Sequence, residues 1–311
     1  MKRPVHALLL AGLIGAAAPL AAGPGQEPTP TAVFKSESNL VVLHVNVFDG
    51  RSDAVPNLPQ SAFQVTEDDR PQSITFFNNE DVPVAVGLVI DNSGSMIARR
   101  AMVLAGTKAF AESSHPEDEL FTIVFNEHVR YGLPDTIAFT KNRTQIEAGF
   151  NRYVPGGKTA LHDAVIAALE HLQEAGHQKR VLVVLSDGDD NASQHSSDTM
   201  LERATRSDAL IYTVSTADLD TNVGNPRLLR KLAELSGGAS YAPDSDKEVV
   251  EAFGAIAENI RRGYSIGYAP TNTSPDGRFR RVKVTVRAPG FKNLRVSARD
   301  GYLAPRHADA R

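Results

Sequence analysis

Val84-Ala85-Val86-Gly87-Leu88-Val89-Ile90-Asp91-Asn92-Ser93-Gly94-Ser95 is the stretch that decides the fold. An unbroken apolar run followed by a carboxylate reads as a strand covered on both faces that ends at Asp91. Two hydroxyls then follow at alternate positions on a tight turn. Oxygen-only donors at the carboxyl end of a buried strand suit a hard divalent cation such as magnesium. They also fall where open α/β sheets hold their ligands.

Downstream of this stretch the pattern alternates between strands and helices. Leu120–Phe125, Val181–Leu185 and Leu210–Val214 are nearly continuous apolar runs, as expected for a parallel sheet with helices on both faces. After Thr159, residues Leu161, Ala164, Val165, Ala168, Leu169 and Leu172 recur at helical spacing. Pro226 suits a first helical turn and Gly237 a C-terminal cap. Leu228, Leu232 and Leu235 are expected on the buried face between them. A last helix turns Val249, Phe253, Ile256 and Ile260 inward.

Both flanks are β in style. Leu43, Val45 and Val47 alternate with His44, Asn46 and Phe48, and Phe63 and Val65 alternate with polar residues before an Asp68-Asp69-Arg70-Pro71 turn. After about Arg262, Tyr264, Ile266 and Tyr268 alternate, as do Val282, Val284 and Val286, with Phe291, Leu294 and Val296 completing the pattern. An inserted domain usually has neighbouring ends. The two flanks are therefore expected to form one smaller β-sandwich with the α/β domain inserted in it.

The chain has 311 residues, a formal net charge of -4 and no cysteine. There is no broad basic character, which argues against nucleic acid as a partner. Disulfides, zinc-thiolate sites and thiol chemistry are excluded. Lys2 and Arg3, the apolar run Ala7–Ala18 and the small residues up to Ala22 read as an export signal. No later segment reads as a membrane span. The expected division is a signal peptide at 1–22, a linker at 23–36, a β segment at 37–82, the α/β domain at 83–262, a second β segment at 263–305 and a tail at 306–311. The mature protein is expected to be exported, periplasmic or extracellular.

Two more loops supply oxygen donors. Thr159 stands in Gly156-Gly157-Lys158-Thr159-Ala160, just before a helix. Asp187 follows the strand beginning at Val181. If these loops lie at adjacent strand ends, Asp91, Ser93, Ser95, Thr159 and Asp187 surround one point. They would offer roughly five oxygens, direct or through water, to an octahedral magnesium ion. A carboxylate from a partner could take the open position. Asn92, Lys158 and Asp189 are the expected partner-binding rim.

Asp-x-Ser-x-Ser, a later Thr before a helix and an Asp after an apolar strand resemble the metal-ion-dependent adhesion site of von Willebrand factor A domains, over about residues 83–262. The resemblance implies a Rossmann-like fold with a central, mainly parallel sheet. It also implies that Ser93, Ser95 and Thr159 ligate Mg2+, with Mn2+ or Ca2+ as alternatives, while Asp91 and Asp187 act largely through water. The flanks, Phe63-Gln64-Val65-Thr66-Glu67-Asp68 and Arg299-Asp300-Gly301-Tyr302-Leu303-Ala304-Pro305, are similar to those of exported bacterial proteins that carry this domain.

Other motifs are weaker. Gly157-Lys158-Thr159 lacks the earlier glycine of a phosphate loop, since Arg152 stands there. Asp187 to Asp198 mimics a calcium loop but has Ala192 at the glycine position and Asp198 in place of the final glutamate. The histidines lack metal-ligand spacing, and neither Ser93 nor Ser95 sits in a nucleophile elbow. The expected function is therefore a non-enzymatic module that captures an acidic residue of a protein or peptide through the metal. The alternatives are a structural component of the cell envelope and a metal-dependent hydrolase using the same cluster, with Asp189 or His162 as base.

Overall fold

The computed structural model describes residues 40–50, 54–217 and 224–306. The predicted signal peptide, the linker, the first residues of the N-terminal β segment and residues 307–311 of the tail lie outside the described residues.

The N-terminal flank forms β1 (Val41–Phe48), β2 (Phe63–Glu67), β3 (Arg70–Gln72) and β4 (Ile74–Asn78). Asp68 and Asp69 both have positive φ, 46° and 64°, between β2 and β3. Aspartate tolerates that conformation, and such a turn matches the twist of a hairpin.

The α/β unit follows. Its elements are β5 (Ala85–Asp91), α1 (Arg100–Ser113), β6 (Glu119–Phe125), β7 (Val129–Tyr131), α2 (Arg143–Asn151), α3 (Leu161–His171), β8 (Arg180–Ser186), α4 (Ser197–Arg206), β9 (Leu210–Ser215), α5 (Pro226–Ser236), β10 (Ser240–Tyr241) and α6 (Asp246–Arg262). The strands form one sheet in the order β10-β9-β8-β5-β6-β7. All neighbours run parallel except β7, which folds back antiparallel on β6. Every residue of β5 is buried, which explains its unbroken apolar run. Because β5 lies between β8 and β6, Asp91 sits at the centre of the sheet's carboxyl edge.

The inward face of α5 differs from the sequence expectation. Leu229, Leu232 and Ala233 are fully buried, while Leu228 and Leu235 lie at the margin of the core. Both sets fit a 3.6-residue period, and only docking on β9 selects between them. Val249, Phe253, Ile256 and Ile260 of α6 are buried as expected.

The C-terminal flank adds β11 (Tyr264–Tyr268), β12 (Phe279–Val286), β13 (Arg295–Ser297) and β14 (Gly301–Leu303). It interleaves with the N-terminal flank. One antiparallel sheet has the order β13-β1-β11-β4 and the other β14-β12-β2-β3. Their inner faces share a core of Leu43, Val45, Phe63, Val65, Tyr264, Ile266, Tyr268, Val282 and Val284. The buried Glu67 carboxylate ties three strands together, accepting from the hydroxyls of Tyr268 at 2.8 Å and Tyr302 at 2.9 Å. Phe291 departs from the expected pattern: it is exposed, in the turn before β13.

Polar contacts fix the sandwich to the α/β unit. Arg299 Nη2 donates to the carbonyls of Thr205 at 2.7 Å and Ser207 at 3.0 Å, satisfying acceptors at the end of α4. Asn46 Nδ2 donates to Tyr212 Oη at 3.2 Å, and α6 passes into β11 through Gly263 alone. Among the described residues no helix is long and apolar enough to cross a membrane.

Candidate metal centre

Three loops meet at the carboxyl edge of the six-stranded sheet. Asp91 ends β5, and its Oδ1 accepts from the Ser93 backbone N–H at 2.9 Å. That local bond bends the chain so that both serines face the same side. Ser93 Oγ and Ser95 Oγ are 3.1 Å apart, and Ser95 Oγ donates to Asp187 Oδ2 at 2.6 Å. Four of the five predicted ligands thus form one connected cluster, although Ser95 and Asp187 are 92 positions apart.

Thr159 joins through its loop. Gly94 N–H donates to the Gly157 carbonyl at 3.1 Å, and Gly156 N–H donates to the Asn92 carbonyl at 2.9 Å. Gly157 adopts φ +83°, and a Cβ there would stand 1.8 Å from Glu127 Oε2. The glycine therefore lets this loop turn at positive φ and pass close against Glu127. Thr159 is buried, and its N–H donates to Asn191 Oδ1 at 2.9 Å. The N–H groups of Asn191 and Ala192 in turn donate to its carbonyl. The loop after β8 thereby binds both the Thr159 loop and, through Ser95, the serine turn.

Several supporting residues carry no motif. Ser186 Oγ donates to Asp91 Oδ2 at 2.7 Å, orienting the carboxylate from the neighbouring strand. Asn126, just past β6, accepts Ala160 N–H on its carbonyl and donates Nδ2 to the Gly156 carbonyl. Glu127 accepts Lys158 N–H at 3.0 Å. Asp190 Oδ2 accepts His162 N–H at 2.9 Å, so this carboxylate serves the start of α3. Sequence reasoning missed all three: adjacency to Asp187 is a signal that could have found Ser186, whereas nothing local marks Asn126 or Glu127, which approach only through folding.

The electrostatics favour a cation. Asp91 is only 1 % exposed, and burial pushes its carboxyl up from 3.8 to about 6. Hydrogen bonds from Ser93 and Ser186 oppose that shift, and the neighbouring Asp187 carboxylate adds to it. Two buried carboxylates of like sign and the two serine hydroxyls bonded into the cluster make an all-oxygen donor set, which fits a hard divalent ion. Among the described residues, no group of three or more His, Cys, Asp or Glu side chains is placed to hold a metal. A metal here must therefore rely on the hydroxyl oxygens as well.

The expected rim divides. Lys158 and Asp189 are exposed, but Asn92 is buried and its Oδ1 accepts from Arg100 Nη1 at 3.0 Å. Two apolar side chains stand open on the same loops instead, Ile97 at 59 % and Val154 at 85 % exposure. His162 is engaged at Nδ1 by the His195 carbonyl at 3.1 Å.

Residues 86–189 match the family model for the von Willebrand factor type A domain. A von Willebrand factor type A protein from Catenulispora acidiphila superposes with a TM-score of 0.50 at 15 % identity, covering 89 % of this chain and 76 % of that one. An aerotolerance-related membrane protein from Bacteroides fragilis gives 0.46 at 16 % identity over 56 % of this chain and 98 % of its own. Proximal thread matrix protein 1 from the mussel byssus, described with zinc in its metal-ion-dependent adhesion site, gives 0.48 at 14 % identity over 62 % and 49 % of the two chains. At 15 % identity the likeness to the Catenulispora acidiphila protein is one of fold. No curated protein matches the sequence. Domains of this type commonly mediate protein interactions.

Proposed function

We propose that this protein is an exported, metal-dependent binding module. A divalent ion, magnesium by its donor chemistry, would be held by Ser93, Ser95 and Thr159 with Asp91 and Asp187 behind them. A carboxylate of a partner protein or peptide would complete its coordination. The observation that carries this reading is the direct bonding of Ser95 to Asp187 and of Ser93 to Ser95 at the sheet's carboxyl edge. Residues 92 positions apart converge there on two carboxylates that otherwise only repel each other. Export rests on the character of residues 1–22 alone.

The exposed side chains around the cluster favour capture of a partner over a purely structural ion. Ile97, Val154, Lys158 and Asp189 form an open rim of mixed polarity, which suits a protein surface. The hydrolase reading loses support, because His162 is held by the His195 carbonyl and Asp190 in place of facing open solvent as a base. Calorimetric titration with Mg2+ or Mn2+ tests the proposal. Asp91→Ala and Asp187→Ala should abolish metal binding while the circular dichroism spectrum is kept. Unchanged metal affinity in both variants refutes the site.

A further inference from the structure

At the opposite edge of the six-stranded sheet lies a cleft of about 580 Å3 between the α/β unit and the sandwich. Its floor is the outer face of β1, β11 and β4. His44, Ser265 and Asn78 stand in register across these strands, followed by Val42, Gly267 and Phe76. Leu40 and Phe76 close over Gly267, where a Cβ would lie within 3.3 Å of both side chains. The facing wall is Val82, Pro83 and His177 to Arg180 at the start of β8.

This cleft gathers two basic side chains, Lys179 and Arg180, against one carboxylate, Asp208, among its described lining residues. His44 and Lys179 are each only 8 % exposed. Lys179 Nζ donates to the Ile260 carbonyl at 2.5 Å, one of the three protons an ammonium carries. Arg180 reaches Asp208 through Nη1 at 2.9 Å, while its buried Nε has no hydrogen-bond partner among the described residues. Among the described residues Asp208 is the one carboxylate lining the cleft, and Arg180 already occupies it. Nearby Asp81 and Asp118 are bound by Arg261. Burial, with Lys179 and Arg299 nearby, pushes His44 down to about 3, and burial pushes Lys179 down to about 8. A bound anion would relieve both.

We propose that this cleft binds a small amphiphilic carboxylate of the medium-chain fatty acid class, its head at Lys179 and Arg180 and its tail along Val42, Leu40 and Phe76. A bare inorganic anion would leave the apolar wall wet. A neutral apolar molecule would leave Arg180 Nε and the two remaining N–H groups of the Lys179 ammonium unanswered, which is costly in a buried setting. The volume is that of a small-molecule pocket, too confined for a protein face. This inference is independent of the metal centre.

Calorimetry on the full chain with octanoate tests it, using 1-octanol and acetate as controls. Octanoate should bind saturably at one site, more tightly than either control. Lys179→Met and Arg180→Gln should each weaken it by about tenfold or more, the worth of a charge-assisted hydrogen bond. Circular dichroism and melting temperature report that each variant is folded, and two variants guard against loss of either one. Absence of saturable octanoate binding overturns the proposal. So does equal affinity for 1-octanol, which would mean an apolar cavity only, or octanoate affinity that both folded variants retain.

Discussion

Ser186 Oγ donates to Asp91 Oδ2 at 2.7 Å, from the end of β8 to the end of β5. The two strands are parallel neighbours, so the last side chain of one reaches the last carboxylate of the other. Partners that orient a metal ligand typically change affinity by about 10- to 100-fold when removed. Ser186→Ala should therefore lower Mg2+ or Mn2+ affinity within that range, with the fold kept. Calorimetric affinity equal to that of the unaltered protein would remove Ser186 from the site.

Asp91 links the site to stability. Its carboxyl titrates near 6 in the folded protein against 3.8 ordinarily, because burial penalises the charge. Between those values the folded protein keeps a proton that the unfolded chain releases, so metal-free stability falls as pH rises through that window. The shift corresponds to about 3 kcal/mol at neutral pH. Asp91→Asn should remove this slope, raise the metal-free melting temperature at pH 7.5 and abolish stabilisation by Mg2+. Melting curves from pH 4 to pH 8, with and without Mg2+, check all three.

The turn after Asp187 depends on Gly188, at φ +88°. A Cβ there would lie 2.5 Å from the Asn225 backbone carbonyl oxygen. Both the left-handed conformation and the contact oppose a side chain. Gly188→Ala should cost about 2 kcal/mol or more and displace the Asp187 loop, since Asn225 N–H also donates to the Asp187 carbonyl at 2.8 Å. A chemical-denaturation midpoint equal to that of the parent chain would contradict this.

Arg299 is a cation of the sandwich that bonds to the α/β unit. Removing it leaves the Thr205 and Ser207 carbonyls without their donor. Arg299→Ala should destabilise the protein by about 2–4 kcal/mol. It should also loosen coupling between the two parts, seen as a broadened or split calorimetric melting transition. A single sharp transition at the original temperature would show that the other contacts suffice.

Much of the centre was legible locally. Asp91, Ser93 and Ser95 are close in sequence and follow a strand whose burial shows in its composition. Asp187 follows a second such strand. The inward face of α5 was less legible, because Leu228 and Leu229 satisfy the helical period about equally and only contact with β9 separates them. Asn92 read as a rim residue by position, but its side chain is buried and accepts from Arg100, the first residue of α1.

Composition and periodicity determined the α/β class, the strand ends that carry oxygen donors and the β character of both flanks, because strand burial and turn chemistry are written in short windows of residues. Tertiary structure decided which donors meet, which carboxylate is buried beside Ser186, and how β1 and β2 interleave with β11 and β12 across more than 200 positions. It also created the cleft around His44 and Lys179. Those relationships depend on sheet order and on the docking of one layer against another, and no local window of sequence contains either.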